Sequence, residues 1–540
     1  MAEVQLKLVT LPSQLPALRL ALDKACAKTA PESSLVTSTY YDSPDLKLWQ
    51  LSLSLRVQEQ NGRRLQIVKG IGSAAERGVV DGEWRDPIAA DRPDLAAPET
   101  GPRLGAVVGD ELRPLFKTQV RRTLFKVDPD PSVEIAVALE EGEVCAADGD
   151  AAEPVCELQL DLNRGDPAFL YDMALRLLDA APLRMATQSG SERGYRLSGA
   201  ELEAVTAKPL ALKPSMTVET VLQSVGRECL GHLLCNEPAA IAGDAEAFHQ
   251  MRVALRRLRS ALATVRSMLP IEQHRWLQEE LKWLAGNLGP ARDWDVFMAD
   301  LLAPVQSALP EDPHLRQLAN AAKQRRRAAY NVAKEAIESR RYAASMLKLA
   351  RWFESRGWRE QRASEHSAPL FAPIAEVAPP LIEQRWRQAR KRSKRFAKLS
   401  QDERHRARIA LKKLRYMTEF LGGLLEADEV DALMERLKRL QEKLGYLNDV
   451  RTAQRLIKEI ACPADDHSSE VGQCAGMVIG WHIRGLTNSE ANLRRNVRRF
   501  RKAKPFWRPA RRSVATVIVN GATKSAPDEN RGAGYRLGAR

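Results

Sequence analysis

Two short stretches of this 540-residue chain carry cations at a spacing suited to chemistry. In the first, His249, Arg252, Arg256 and Arg259 recur every three or four residues. On a helix turning ~100° per residue they fall within an arc of roughly 80°. Phe248, Met251, Leu255, Leu258 and Leu262 fill a neighbouring arc, so one side can pack into a core while the cations run along its shoulder. The second stretch repeats the row as His405, Arg408, Lys412 and Arg415, at an offset of 156 residues from the first. Arg257 and Lys413 sit just outside each row.

An exposed helix normally intersperses acids so that i,i+4 pairs form, yet Arg252 to Arg266 contains none. Like charges crowded on one face cost stability unless an anion resides there. Arginine forks match phosphate oxygens bidentately, lysine adds a point charge, and histidine donates a further hydrogen bond. One such row alone would read as a solvated face. Retention of residue type in a duplicate argues for a site, and two rows face to face would line a groove suited to a repeating phosphate chain. A metal reading of His249 and His405 lacks an acidic or second histidine partner at helical spacing.

The elements that must hold these residues differ between the halves. Residues 1–200 contain 23 Lys+Arg and 30 Asp+Glu, a balance of −7, whereas the whole chain is +14, leaving +21 on the remainder. Such asymmetry points to a polyanionic partner for the basic half. Period-two alternation in Glu3–Leu8, Leu51–Leu55, Val133–Val137 and Cys156–Leu162 predicts strands, with Glu157, Gln159 and Asp161 on one face. That polar face could look to water in an open sheet or inward in a closed barrel. A helix is expected over Ala168–Leu178. From Val218 to about Phe506 the apolar spacing is helical throughout. The register of 156 also places Leu444-Gly445 on Leu288-Gly289 and Asp449 on Asp293, which predicts a duplicated bundle with pseudo-two-fold symmetry.

The domains expected are therefore residues 1–205, a linker 206–217, the helical pair of repeats 218–508, and a basic disordered tail 509–540. The seven cysteines are scattered with no C-x-x-C pair, which argues against disulfides and structural zinc. No apolar run approaches the ~18 residues of a membrane span, and Met1 to Lys7 lacks a signal-peptide pattern, so a cytoplasmic protein without membrane contact is expected.

The segments H249-x-x-R252-V-x-x-R256-R-x-R259, R292-D293-x-D295-V, H405-x-x-R408-I-x-x-K412-K-L-R415-Y416 and L-N448-D449-V resemble the CHAD family over residues 216–508. The resemblance implies a two-fold bundle of long helices whose basic groove binds inorganic polyphosphate and takes the protein to polyphosphate granules. Its binding positions would be His249, Arg252, Arg256, Arg257, Arg259, His405, Arg408, Lys412, Lys413 and Arg415.

The first half resembles the CYTH family, the triphosphate tunnel metalloenzymes. The matches include Glu3-Val-Gln5-Leu-Lys7, Tyr41-Asp42-Ser-Pro-Asp45, Leu55-Arg56, Val68-Lys69-Gly70, Glu83-Trp84, Arg122, Val133-Glu134, Glu157-Leu-Gln159-Leu-Asp161 and Arg193-Gly-Tyr195. This implies an α+β protein whose first half is an eight-stranded antiparallel tunnel with covering helices. Arg56, Arg122 and Arg193 would hold a triphosphate, Glu3, Lys7 and Lys69 would serve catalysis, and Glu3, Glu134, Glu157 and Asp161 would hold Mg²⁺ or Mn²⁺.

Several positions depart from that pattern. Gln5 and Gln159 replace acids, Gln58 and Gln119 replace arginines, and Gly190 replaces a lysine; Asp81 and Arg85 invert the charges flanking Glu83. Glutamine keeps the shape of glutamate but is a poor ligand for a hard cation and no general base. The expectation is a polyphosphate-binding protein with a divergent triphosphate site of weak or lost turnover. An active inorganic triphosphatase is the alternative. Nucleic-acid binding ranks below both, because the rows lack interleaved aromatics that stack bases.

Overall fold

The computed structural model describes residues 4–25, 31–70, 82–104, 112–147, 149, 151–201, 203–360, 364–460 and 468–507. Alternation drives the first half into strands: β1 (Val4–Val9), β2 (Glu32–Asp42), β3 (Leu53–Gln60), β4 (Arg63–Gly70), β5 (Glu83–Pro87), β6 (Arg113–Asp130), β7 (Val133–Ala146), β8 (Ala152–Arg164) and the two-residue β9 (Arg184–Met185). All neighbours pair antiparallel in the order β5-β4-β3-β2-β6-β7-β8-β1-β9. Eight long strands were expected and are present; β9 is a ninth, short one. Among the described residues the two edges, β5 and β9, do not pair with each other.

One face of this sheet is apolar. Leu6, Leu8, Ile135, Val137, Leu139, Leu158 and Leu160 are buried under α1 (Leu15–Ala25) and α4 (Ala168–Ala180). The single-turn helices α2 (Lys47–Gln50) and α3 (Gly101–Leu104) close corners, and α5 (Gly190–Leu197) starts at a capping box between Ser189 and Glu192. The opposite face carries the polar alternates and bounds a cavity.

Among the described residues the regular elements of the second half are helices: α6 (Val218–Cys235), α7 (Glu237–Ile241), α8 (Ala245–Thr264), α9 (Ile271–Val296), α10 (Ala303–Ala308), α11 (Pro313–Glu338), α12 (Arg340–Glu354), α13 (Ile374–Arg392), α14 (Gln401–Leu421), α15 (Ala427–Ile460) and α16 (Ser468–Lys502). Helix starts repeat at the sequence offset. Val218, Ala245 and Ile271 correspond to Ile374, Gln401 and Ala427, each 156 residues on. Asp244 and Ser400 cap α8 and α14 at equivalent positions. No helix among the described residues is long and apolar enough to cross a membrane.

The halves share one continuous apolar core. Across it, α4 packs on α12, with Arg351 donating to Asp172 at 2.6 Å and Arg340 paired with Asp179. Arg184 of β9 pairs with Glu237 at 3.3 Å, and Tyr342 donates to the same carboxylate at 2.9 Å. Residues 203–213, within and beside the expected linker, have no regular secondary structure; Asn236 and Glu228 accept from the backbone of Val205 and Lys208. The expected tail lies outside the described residues.

Candidate functional site

The cavity of the first half holds about 600 Å³ and is lined from every long strand. Period two puts Gln5 and Lys7, Arg56 and Gln58, Lys69, Glu83 and Arg85, Thr118 and Arg122, Glu140, and Glu157, Gln159 and Asp161 on its wall. Ala186 to Glu192 complete it. Lys7, Lys69, Arg56 and Arg122 thus line one cavity, and Arg193 reaches Glu157. Gly190 also lines the space, with nothing within 4 Å of where a Cβ would stand, so the missing lysine is a lost charge in open room.

The sequence also misplaced two residues here. Gln119 points away from the cavity, because Thr118, Val120 and Arg122 take the inward face of β6 and a one-residue step reverses the side. Glu134 shares the inward face of β7 with Glu140 but lies outside the cavity, held by Lys126 at 3.2 Å and Asn163 at 3.3 Å. Glu3 and Asp81 lie outside the described residues. Glu140 and Arg85 were not singled out as wall residues; Glu140 could have been found from its even spacing with Glu134.

The cavity's charges largely neutralise one another. Glu83 accepts from Lys69 at 2.9 Å and Arg85 at 2.5 Å, with Arg56 at 4.0 Å. Burial works to raise its carboxyl, but Lys69, Arg85 and Arg56 outweigh burial and hold it at about 2. Arg122 faces Glu140 at 3.5 Å. Glu157 is raised by burial against the pull of Arg193.

Both oxygens of Asp161 are taken by amides, from Gln5 at 2.7 Å and Gln159 at 2.8 Å. No group of three His, Cys, Asp or Glu able to hold a metal ion occurs among the described residues. Of the expected ligands, Asp161 is held by the amides of Gln5 and Gln159 and Glu157 by Arg193, while Glu3 lies outside the described residues.

The helical half is built differently. The α8 and α14 rows converge: Arg256 and Arg252 act on Lys412, Arg256 on Arg408, and Lys412 on His249. Burial pushes His249 down to about 4, and Arg292, Arg256, Arg252 and Lys412 add to it. Burial with Arg408, Arg256 and Arg252 lowers Lys412 to about 7 despite Asp449. Arg252 falls to about 10 through burial and Arg256, against Asp293. The Nε atoms of Arg252, Arg259, Arg408 and Arg415, and Nδ1 of His249, are buried without a hydrogen-bond partner. Gly289 of α9 leaves room for Arg252, whose Nη1 would lie 3.0 Å from an added Cβ.

His405 is placed less centrally. It is exposed, bonds Asn448 at 3.1 Å and opens on a 430 Å³ hollow with Arg404 and Arg408. Arg415 donates to Gln441 at 3.2 Å, and Lys413 lies beside Arg259. Arg257 does not belong to the groove. It is 1% exposed and clamped by Glu228 at 2.7 Å and Glu419 at 3.0 Å, because one residue past Arg256 turns it ~100° into the core. Arg292 joins the groove beside His249, and the R292-D293 motif was its only sequence signal.

Family models match the CYTH domain over residues 1–195 and the CHAD domain over residues 224–458. The chain joins a CYTH domain to a CHAD domain. This CYTH–CHAD protein is 26% identical over 208 residues to an inorganic triphosphatase of Haemophilus influenzae, covering 36% of its own length and 54% of that relative. The match therefore spans about half the length of that relative. An uncharacterized protein of Mycobacterium tuberculosis is 25% identical over 446 residues, 78% of the CYTH–CHAD protein and 82% of the relative. The CHAD domain of the plant Ricinus communis, a solved structure, is 28% identical, with TM-score 0.48, covering 56% of this chain and 98% of that one.

Proposed function

We propose that the CYTH–CHAD protein binds inorganic polyphosphate in the groove between α8 and α14. One observation carries this reading. The groove's cations are half-buried and crowded, and buried nitrogens of Arg252, Arg259, Arg408, Arg415 and His249 have no hydrogen-bond partner; the cavity of the first half, where the Nε atoms of Arg56 and Arg193 share that condition, pairs most of its cations with its own carboxylates. Buried unsatisfied donors cost roughly 1–3 kcal/mol each, a cost that an anion with many oxygens removes. Arg252, Arg256, Arg259, Arg408, Lys412 and Arg415 would grip successive phosphates, with His249 and His405 flanking, and Lys413 at one end. Counterion release makes the affinity fall steeply with salt. Such binding would gather a cytoplasmic protein at polyphosphate granules.

In this reading the CYTH cavity binds a triphosphate through Lys7, Arg56, Lys69 and Arg122 with little turnover. Binding must first compete with Glu83 and Glu140 for those cations. Asp161 already accepts from the amides of Gln5 and Gln159, one on each oxygen. The rival reading, metal-dependent hydrolysis of triphosphate, is supported by the similarity to an inorganic triphosphatase. It requires Glu3, Glu157 and Asp161 to hold Mg²⁺ or Mn²⁺, and Glu157 and Asp161 would have to leave their present partners.

The test is competition between long-chain polyphosphate and duplex DNA for the full-length protein at matched salt. Displacement of DNA by polyphosphate at equal phosphate concentration is expected. Stronger retention of DNA would overturn the proposal.

A further inference from the structure

The pseudo-two-fold is broken at one end of the groove, and the break is one of charge. The 156-residue offset relates Arg257 to Lys413, Glu228 to Gln384, Glu419 to Ala263 and Cys229 to Arg385. The register is secure in α6 and α13: Val218, Leu222, Gly226, Cys229, Leu230 and Leu233 are buried, and so are Ile374, Ala378, Ile382, Arg385, Trp386 and Ala389 at the matching positions.

At the first end, the Arg257 cation is enclosed by two carboxylates, with Glu228 at 2.7 Å and Glu419 at 3.0 Å. At the other, both acids are gone. Lys413 stands instead between Arg259 of α8 and Arg385 of α13, and burial with these two cations lowers it. Arg385 is 9% exposed, and no carboxylate pairs with it among the described contacts. Its Nη2 donates to the Ala263 carbonyl at 2.8 Å and Thr264 Oγ1 at 3.2 Å, closing the end of α8, while its Nε and that of Arg259 are buried without partners. Beside it, a hollow of about 440 Å³ is lined by Gln384, Arg385, Arg387, Gln388, Lys391 and Arg392, with no acid in the lining.

We propose that Arg385, Lys391 and Arg392 form a further phosphate seat beyond Arg259 and Lys413 at the end of the groove, through which a long polyphosphate leaves the groove at the α13 end only. The Arg257 end, closed and with no cation in excess of its carboxylates, passes no phosphate. This rests on the polyphosphate reading above and adds a direction to it. A short phosphate chain fills the groove alone, whereas a long one gains the seat as well.

The experiment restores the missing acid. Gln384 is exposed, so Gln384→Glu places beside Lys413 the carboxylate that Glu228 offers Arg257 without disturbing a buried contact. Binding of polyphosphate of about 10 and of over 100 phosphates is measured for the full chain. A Lys391→Gln/Arg392→Gln variant, altering exposed residues, serves as a second probe, and Arg252→Ala/Arg408→Ala as a control for the groove. Long-chain affinity is expected to fall at least fivefold in both probes, with short-chain affinity unchanged in Lys391→Gln/Arg392→Gln and reduced less than long-chain affinity in Gln384→Glu, which faces Lys413 at the end of the groove, while the control weakens both lengths. If the control weakens both lengths but neither probe affects the long chain, or the probes weaken both lengths equally, the seat is wrong and the groove stands. A control that weakens neither length overturns the polyphosphate reading and the seat with it.

Discussion

Polyphosphate binding should take up protons, because the groove has shed them. Lys412 titrates at about 7 in the free protein, through burial and the charges of Arg408, Arg256 and Arg252. A lysine against phosphate oxygens returns toward its ordinary ~10.4. At pH 8 the free lysine is about one-tenth protonated and the bound one fully so, giving an uptake of about 0.9 proton per site. At pH 6 that uptake drops to about 0.1, and His249, which burial holds at about 4, takes over as it recovers toward ~6.5. From pH 6 to pH 9 the Lys412 proton alone should lower the affinity about 100-fold, or about 2.7 kcal/mol, and His249 adds a further factor of about 4. Titration calorimetry in buffers of different ionisation enthalpy reads the uptake directly. Chains of over 100 phosphates keep the polymer's own terminal protons negligible. A binding enthalpy independent of buffer at pH 8, with affinity changing less than threefold between pH 6 and 9, would refute the reasoning.

The same shift makes the free protein's stability depend on pH. Unfolded Lys412 binds protons up to ~10.4 and folded Lys412 only to about 7, so stability rises with pH between those values; Lys412→Met should flatten the rise and stabilise by about 4 kcal/mol in urea unfolding at pH 7. Arg256→Ala and Arg257→Ala should behave oppositely. The first loses polyphosphate affinity while unfolding at equal or higher urea. The second strands Glu228 and Glu419 and lowers stability by about 3–5 kcal/mol with the groove cations still in place. Reversing the departures in the cavity, with Gln5→Glu, Gln159→Glu and Gly190→Lys together, should raise Mg²⁺-dependent phosphate release from triphosphate at least tenfold over the natural chain; an unchanged rate would mean these positions do not limit turnover.

Much of this was legible in the sequence. The strands, the duplication and the cation rows follow from periodicity, and periodicity survives folding because buried faces demand it. Errors arose where the answer turned on a single step of rotation or on an element's far end. Arg257 and Arg256 are adjacent and equally basic, but only the fold places Glu228 and Glu419 against one of them. Gln119 was assigned by analogy of position, and its face was settled by the register of β6. Glu134 has the right face and the wrong depth, since alternation says nothing about where along a strand a cavity ends. Arg385 was invisible as a site residue because its meaning lies in a comparison with Cys229, across two helices whose sequences barely agree.

The central claim is that the two rows make one anion site, and polyphosphate binding by Arg252→Ala/Arg408→Ala at two salt concentrations tests it most directly. With one cation removed from each row, affinity at low salt should drop at least tenfold and its decline with salt should become shallower by roughly one unit of log–log slope per lost cation. Binding and salt dependence equal to those of the natural chain would contradict it.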